Sequence, residues 1–236
     1  MYYFLSHLAF VSICYSSVII PKMLASSNLA FVIFGVIECL LLAVMAYGRY
    51  VAIYKPLMYP TIMCGWMCWW LVAGSYAVGV FHAVTHTTFI FTLSFCHSNV
   101  INHYFCDIAP LLPLSCSNTH SYEGVILALV SMNCLSTMTI IFISYAYILP
   151  SVLRIHSKES RRKAFSTCTS HLMVVTTFYG AILLMYLRPS STFALDENKM
   201  ATVFYTIMTP TLNPLIYSLR NREVKAALLR AVGRRQ

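Results

Sequence analysis

Apolar residues in this chain are gathered into long runs rather than spread at one-face spacing. Six runs stand out, over residues 2–23, 28–50, 63–85, 123–149, 164–187 and 199–219. Each approaches the roughly twenty residues that a helix needs to cross a bilayer. The punctuation between them is proline and short polar text. Pro21-Lys22 closes the first run, and only Ala25-Ser26-Ser27 separates Leu24 from the second. Lys55-Pro56 closes the second, and Pro150 the fourth. Thr209-Pro210 and Asn213-Pro214 interrupt the last run, which a membrane helix tolerates where neighbours satisfy the freed backbone groups. Trp66, Trp69 and Trp70 near the start of the third run read as interfacial anchors. After residue 219, Val224, Ala227, Leu228 and Ala231 alternate with cations, predicting a basic amphipathic helix over 220–232. The pattern predicts an all-α membrane protein, one transmembrane domain over residues 1–236 with six spans.

Composition agrees. Of 236 residues, 59% are hydrophobic and 10% charged, with a mean hydropathy of +0.72. Soluble domains carry about a quarter charged residues. The formal charge is +9, but its placement argues against nucleic acid. Of 16 Lys and Arg, two lie at Arg49 and Lys55, five between Arg154 and Lys163, and six from Arg220 onward. Placing these three segments in the cytoplasm leaves only Lys22, Arg188 and Lys199 outside. Both termini then lie inside. The longest connection, 86–122, has no Lys or Arg and belongs on the outer side, where disulfides persist.

Polar residues inside the runs narrow the chemistry. Arg49 closes the second run and either snorkels to the headgroups or is held by partners for a purpose. Glu38 lies in mid-span, either as a neutral hydrogen-bonded acid or as a functional group. Ser131, Asn133, Ser136 and Thr137 form a polar stripe on the fourth run. Most of the nine cysteines fall in or beside apolar runs and read as small core residues. Cys96, Cys106 and Cys116 stand ten residues apart, which fits no compact zinc pattern. No catalytic constellation is present: no G-x-S-x-G, no H-E-x-x-H and no phosphate loop. Internal repeats and rings of pore charge, which would mark a transporter or channel, are also missing.

Several stretches resemble the olfactory receptors, a family of rhodopsin-like G-protein-coupled receptors. MAYGRYVAIYKPLMYP (45–60) is similar to the segment closing the family's third helix, and the opening MYYFLSHLAFVSICYSSVIIPKML to its second helix. LSFCHSNVINHYFCDIAPLLPLSCSNT resembles its second outer loop, RRKAFSTCTSHL the start of its sixth helix, and PTLNPLIYSLRN its seventh. The resemblance covers nearly the whole chain. It implies a seven-helix bundle without its first helix, and a shortened link between the second and third. It also implies a ligand pocket for a small odorant, lined by Phe31, Val32, Gly35, Val36, Tyr179 and Tyr186. Coupling to a heterotrimeric G protein would involve Arg49, Tyr50, Tyr145 and Lys163, with Asn213, Pro214 and Tyr217 as the hinge. Glu38, Ser12 and Asn213 would share a polar cluster. Cys96 would pair with Cys116, leaving Cys106 without the third-helix cysteine it needs. No cofactor is implied, and the partners are an odorant, a G protein and the bilayer of the plasma membrane.

Departures from the family pattern carry their own expectations. Gly48 stands where the family has Asp, removing a carboxylate beside Arg49 and implying raised basal activity or poor coupling. Ser12 stands where the family has an intramembrane Asp, so a sodium site would lose one of its two carboxylates. The alternative to a signalling receptor is therefore a non-signalling six-helix remnant held in the endoplasmic reticulum.

Overall fold

The computed structural model describes residues 2–19, 24–92 and 120–186. The described residues form helices with no strand among them. In chain order they are α1 (Tyr2–Ile19), α2 (Leu24–Tyr54), the one-turn α3 (Tyr59–Ile62), α4 (Gly65–Thr92), α5 (His120–Leu153) and α6 (Lys158–Tyr186). The expected last span at 199–219 and the helix at 220–232 lie outside the described residues, as does most of the 86–122 connection.

α2 is the centre of the assembly, packing most broadly against α1, α4 and α5 and meeting α6 at Cys39, Leu42 and Arg49. Its apolar side chains are buried all round: Ile37, Leu41, Leu42 and Met45 are fully enclosed. They meet Phe4, Leu8 and Val11 of α1, Ile148 and Val152 of α5, and Val174 and Phe178 of α6 in one core. By length and composition α2, α4 and α5 each contain a segment able to cross a membrane, Val32–Tyr54, Gly65–Phe89 and Gly124–Leu153. The α2 segment is 56% buried and the α5 segment 11%. α5 thus turns a broad apolar face outward, including Met132, Leu135 and Phe142, and that face suits lipid rather than water.

Hydroxyl residues enter these helices at little cost because they bond to their own backbone. Ser75 donates to the Leu71 carbonyl at 2.8 Å, Thr88 to Val84 at 2.8 Å, Thr139 to Leu135 at 2.7 Å and Ser144 to Ile140 at 2.7 Å. Each bond removes a polar group that lipid could not satisfy.

Helix ends differ from the sequence expectation at four places. Ala25–Ser27, expected as a tight link, lies within α2, because this stretch contains neither Pro nor Gly to break a helix begun at Leu24. The expected outer connection at 86 starts only after Thr92, since His86–Thr92 carries no breaker and its threonines bond back along the helix. Pro150, expected to end α5, lies inside it, and the Pro150 carbonyl still accepts from the Arg154 amide at 3.2 Å. α6 begins at Lys158 rather than 164, so Arg161, Arg162 and Lys163 are helical. Ser157 starts it, its hydroxyl accepting from the Ser160 amide at 3.4 Å, with Glu159 favourably placed in the first turn. At the end of α2, Lys55 precedes Pro56 and leaves the helical region with φ −129° and ψ 61°. Trp66 and Trp69 stack, Trp70 meets both edge to face, and all three stay exposed, as interfacial anchors do.

At Gly79, α4 comes close to the backbone of α2. A Cβ added at Gly79 would lie 2.8 Å from Ile37 Cγ1 and 3.0 Å from the Ile33 carbonyl oxygen. The side chain could yield, but the carbonyl belongs to a helix and cannot move alone. Gly79→Ala is therefore predicted to lower stability by about 1–3 kcal/mol, the usual cost of overpacking. Thermal unfolding in detergent checks this, and an unchanged midpoint would show that the seam opens freely.

Candidate functional site

Three polar clusters lie along α2, each tying it to another helix. The first surrounds Cys39. Its thiol is 3.1 Å from the Thr137 hydroxyl of α5 and 3.0 Å from the Tyr179 hydroxyl of α6. Thr137 and Tyr179 are themselves 2.6 Å apart. Thr137 donates its one hydroxyl hydrogen to the Asn133 carbonyl at 2.7 Å. That makes Thr137 the acceptor for the Tyr179 O–H. One turn beyond Cys39, away from the Arg49 end, is Gly35, where an added Cβ would meet no atom within 4 Å. Val32, Gly35 and Val36 are half-buried along this part of α2. Gly35 thus leaves open space one turn from the Cys39 cluster.

The second cluster is the buried pair Ser12 and Glu38, whose side chains are fully enclosed between α1 and α2. Ser12 Oγ donates to Glu38 Oε1 at 2.7 Å. A serine hydroxyl thus meets the mid-span carboxyl group where the sequence leaves only one acid.

The third lies toward the cation-bearing end. His171 of α6 is fully buried, its Nε2 3.1 Å from the Leu42 carbonyl of α2 and its Nδ1 3.0 Å from the Tyr145 hydroxyl of α5. A carbonyl only accepts, so Nε2 carries the hydrogen, and in the neutral ring Nδ1 accepts from Tyr145. Two turns further along α2, Arg49 is 3% exposed and its Nη1 donates to the Thr167 carbonyl of α6. The bond is charge-assisted and ends on backbone. Around it, Tyr50, Tyr54 and Tyr147 bring their rings together, with centroids 5.3 to 5.8 Å apart.

The sequence-predicted residues divide accordingly. Tyr179 bonds to Cys39, one turn of α2 from Gly35 and Val36, whereas Tyr145 bonds to His171 between that level and Arg49. Ser12 and Glu38 are in contact, whereas Asn213 lies outside the described residues, with Pro214, Tyr217, Cys96, Cys106 and Cys116. Phe31 and Tyr186 fall on α2 and α6, with side chains outside the described set. Lys163 is exposed on the first turns of α6. Cys39 and His171 were not expected in either site. Cys39 reads as core packing from sequence, although its place four residues after Gly35 puts both on one helix face.

The fold and these clusters define a class first. The crystal structure of squid rhodopsin superposes with a TM-score of 0.64 at 16% identity, over 96% of this chain and 70% of that one. This is a multi-pass helical membrane protein of the G-protein-coupled-receptor fold. A family model described as "Olfactory receptor" matches residues 1–235. Human olfactory receptor 8U9 is 50% identical over 247 residues, 98% of this chain and 80% of the relative. Human olfactory receptor 5AR1 is 50% identical over 250 residues, 100% and 81% of the two chains, and human olfactory receptor 8D1 is 51% identical over 243. The chain belongs to the olfactory receptor family, whose members are signalling receptors rather than enzymes.

Tyr179→Phe removes one hydroxyl shared by α2, α5 and α6 and is predicted to cost about 1 kcal/mol of stability. Thermal unfolding of the purified chain with Phe at 179 measures it. A midpoint equal to the parent would mean that the Cys39–Thr137–Tyr179 contacts contribute nothing net.

Proposed function

We propose that this chain is an odorant receptor of the plasma membrane that raises cAMP through a heterotrimeric G protein. One observation carries the reading: of the three bonds from α6 to α2, the outer two lie at Tyr179 beneath the proposed pocket and at Thr167 at the Arg49 end, with His171–Leu42 between them. The two positions are twelve residues apart, about 18 Å along a helix at 1.5 Å per residue. A small apolar ligand seated by Val32, Gly35, Val36 and Tyr179 changes the contacts of α6 at one level. A shift of the rigid helix then reaches the other. The Arg49–Thr167 bond holds the cation-bearing face closed in the unliganded form. Its loss exposes Arg49 and the Tyr50–Tyr54–Tyr147 cluster to the G protein, with Lys163 beside them. Ligands bias that equilibrium only by binding the two forms unequally.

Gly48 sets the resting balance in this scheme. No carboxylate flanks Arg49 from position 48, and a backbone carbonyl holds the guanidinium instead. A Cβ at Gly48 meets no clash: it would lie 3.6 Å from Met63 Cε, an ordinary contact. Restoring the acid gives Arg49 a second, charged partner and removes a helix glycine that costs about 1 kcal/mol relative to alanine. Gly48→Asp is therefore expected to lower basal cAMP at equal surface expression, measured by surface labelling and a cAMP reporter in transfected cells. Unchanged basal cAMP would contradict this role for Gly48. Parent receptor at the surface that never alters cAMP, with any odorant in a broad panel, would contradict the signalling assignment.

A further inference from the structure

Positive charge is concentrated where α5 gives way to α6, and of it the coupling scheme above uses only Lys163. Arg154, Lys158, Arg161, Arg162 and Lys163 fall within ten residues, and Glu159 is the one acid between positions 150 and 170. All five cations are exposed, and four of them belong to α6. The buried line of that helix runs through Cys168, His171, Val175 and Phe178, which pack into the core shared with α2 and α5. Lys158, Arg162, Phe165, Thr169 and Met173 recur at the same helical spacing on another line, with Phe165 and Met173 each 51% exposed. This stripe faces away from α2 and its Arg49. Arg161 stands beside it, three residues from Lys158.

An outward stripe that is apolar at Phe165 and Met173 and cationic at Arg162 and Lys158 passes from acyl chains to headgroups. Lys158 and Arg162 are one turn apart, a spacing at which like charges repel. Glu159 and Lys163 are also one turn apart but on a different line, where opposite charges offset each other. The unbalanced cations are therefore Lys158, Arg161 and Arg162. A zwitterionic headgroup brings them no net charge, and phosphatidylserine brings one. An inositol ring with two phosphomonoesters brings several, and each Arg fork can take a phosphate through two parallel bonds. Dense cation clusters on the cytoplasmic side of a span are the usual receptors for such headgroups.

We propose that Lys158, Arg161 and Arg162 hold the headgroup of a polyphosphorylated inositol lipid of the inner leaflet, with its acyl chains lying along Phe165 and Met173. The lipid settles the repulsion within the cluster and fixes the outer side of α6 to the membrane surface.

The test is native mass spectrometry of the purified full chain in detergent, offered phosphatidylinositol 4,5-bisphosphate and phosphatidylserine with matched acyl chains. We expect the bisphosphate lipid to be retained at least about tenfold more tightly than phosphatidylserine. The double variant Lys158→Gln, Arg162→Gln is expected to lose at least about tenfold of that affinity, since each cation near an anionic headgroup contributes roughly fivefold. Lys55→Gln with Lys163→Gln removes the same charge from the same end of the bundle but off the stripe, and should cost no more than about twofold. Soluble inositol 1,4,5-trisphosphate should displace the lipid only in large excess, because it lacks the acyl chains. Equal retention of the two lipids, a preference that survives Lys158→Gln, Arg162→Gln, or equal losses from the two double variants would overturn the proposal. Displacement by an equal concentration of the soluble trisphosphate would overturn the lipid as its source. The readout requires no signalling, so failure here leaves the odorant-receptor reading untouched.

Discussion

A polar group in lipid must be satisfied from within the protein, and that requirement shapes this molecule more than apolar packing does. Lipid tails are as apolar as leucine, so burying Leu41 or Met45 of α2 gains less here than it would in water. Unpaired backbone or side-chain polar groups cost several kcal/mol each. Serine and threonine answer this by bonding to the preceding turn of their own helix. Cys39, Glu38 and Arg49 reach other helices instead, and α2 is where all three are found.

The central position of α2 follows from this arrangement. Its successive faces meet α1 through Ser12–Glu38, α4 through the bare backbone at Gly79, α5 through Thr137, and α6 through Tyr179, His171 and Thr167. α6 meets α2 over a smaller area, through core residues such as Val174 and Phe178 and these few hydrogen bonds, two of which end on backbone carbonyls. α1, α4 and α5 pack against α2 far more broadly. A helix with fewer contacts can move with less repacking of the core, and mobile elements are drawn from such lightly held parts. The distribution of contacts thus singles out α6 as the moving part and α2 as the frame.

Much of this was legible in the residues. Run length and cation placement are coarse averages over twenty residues, so the helical membrane class survived errors at any one position. Helix ends were misjudged where a local signal was overruled. Pro150 sits in a helix that continues past it, and the basic residues 161–163 join α6 because helix continuity costs them nothing in exposed positions. The pairing of Ser12 with Glu38 followed from the family pattern, since both positions belong to its polar cluster. The Cys39–Thr137–Tyr179 contacts did not, because a cysteine in an apolar run looks the same whether it packs or bonds. Bonds to carbonyls, such as Arg49 to Thr167 and His171 to Leu42, leave no mark in sequence at their acceptor. Any residue type could stand at position 42 or 167.

The central claim is that Arg49 holds the cation-bearing end of α6 against α2. The direct test places spin-label amino acids at the exposed positions Leu57 and Arg162 and measures their separation in nanodiscs by pulsed electron resonance. With Arg49 intact the distances should be short and narrowly spread, and Arg49→Gln should lengthen and broaden them. An identical distribution in the two proteins would mean that α6 is held by something else.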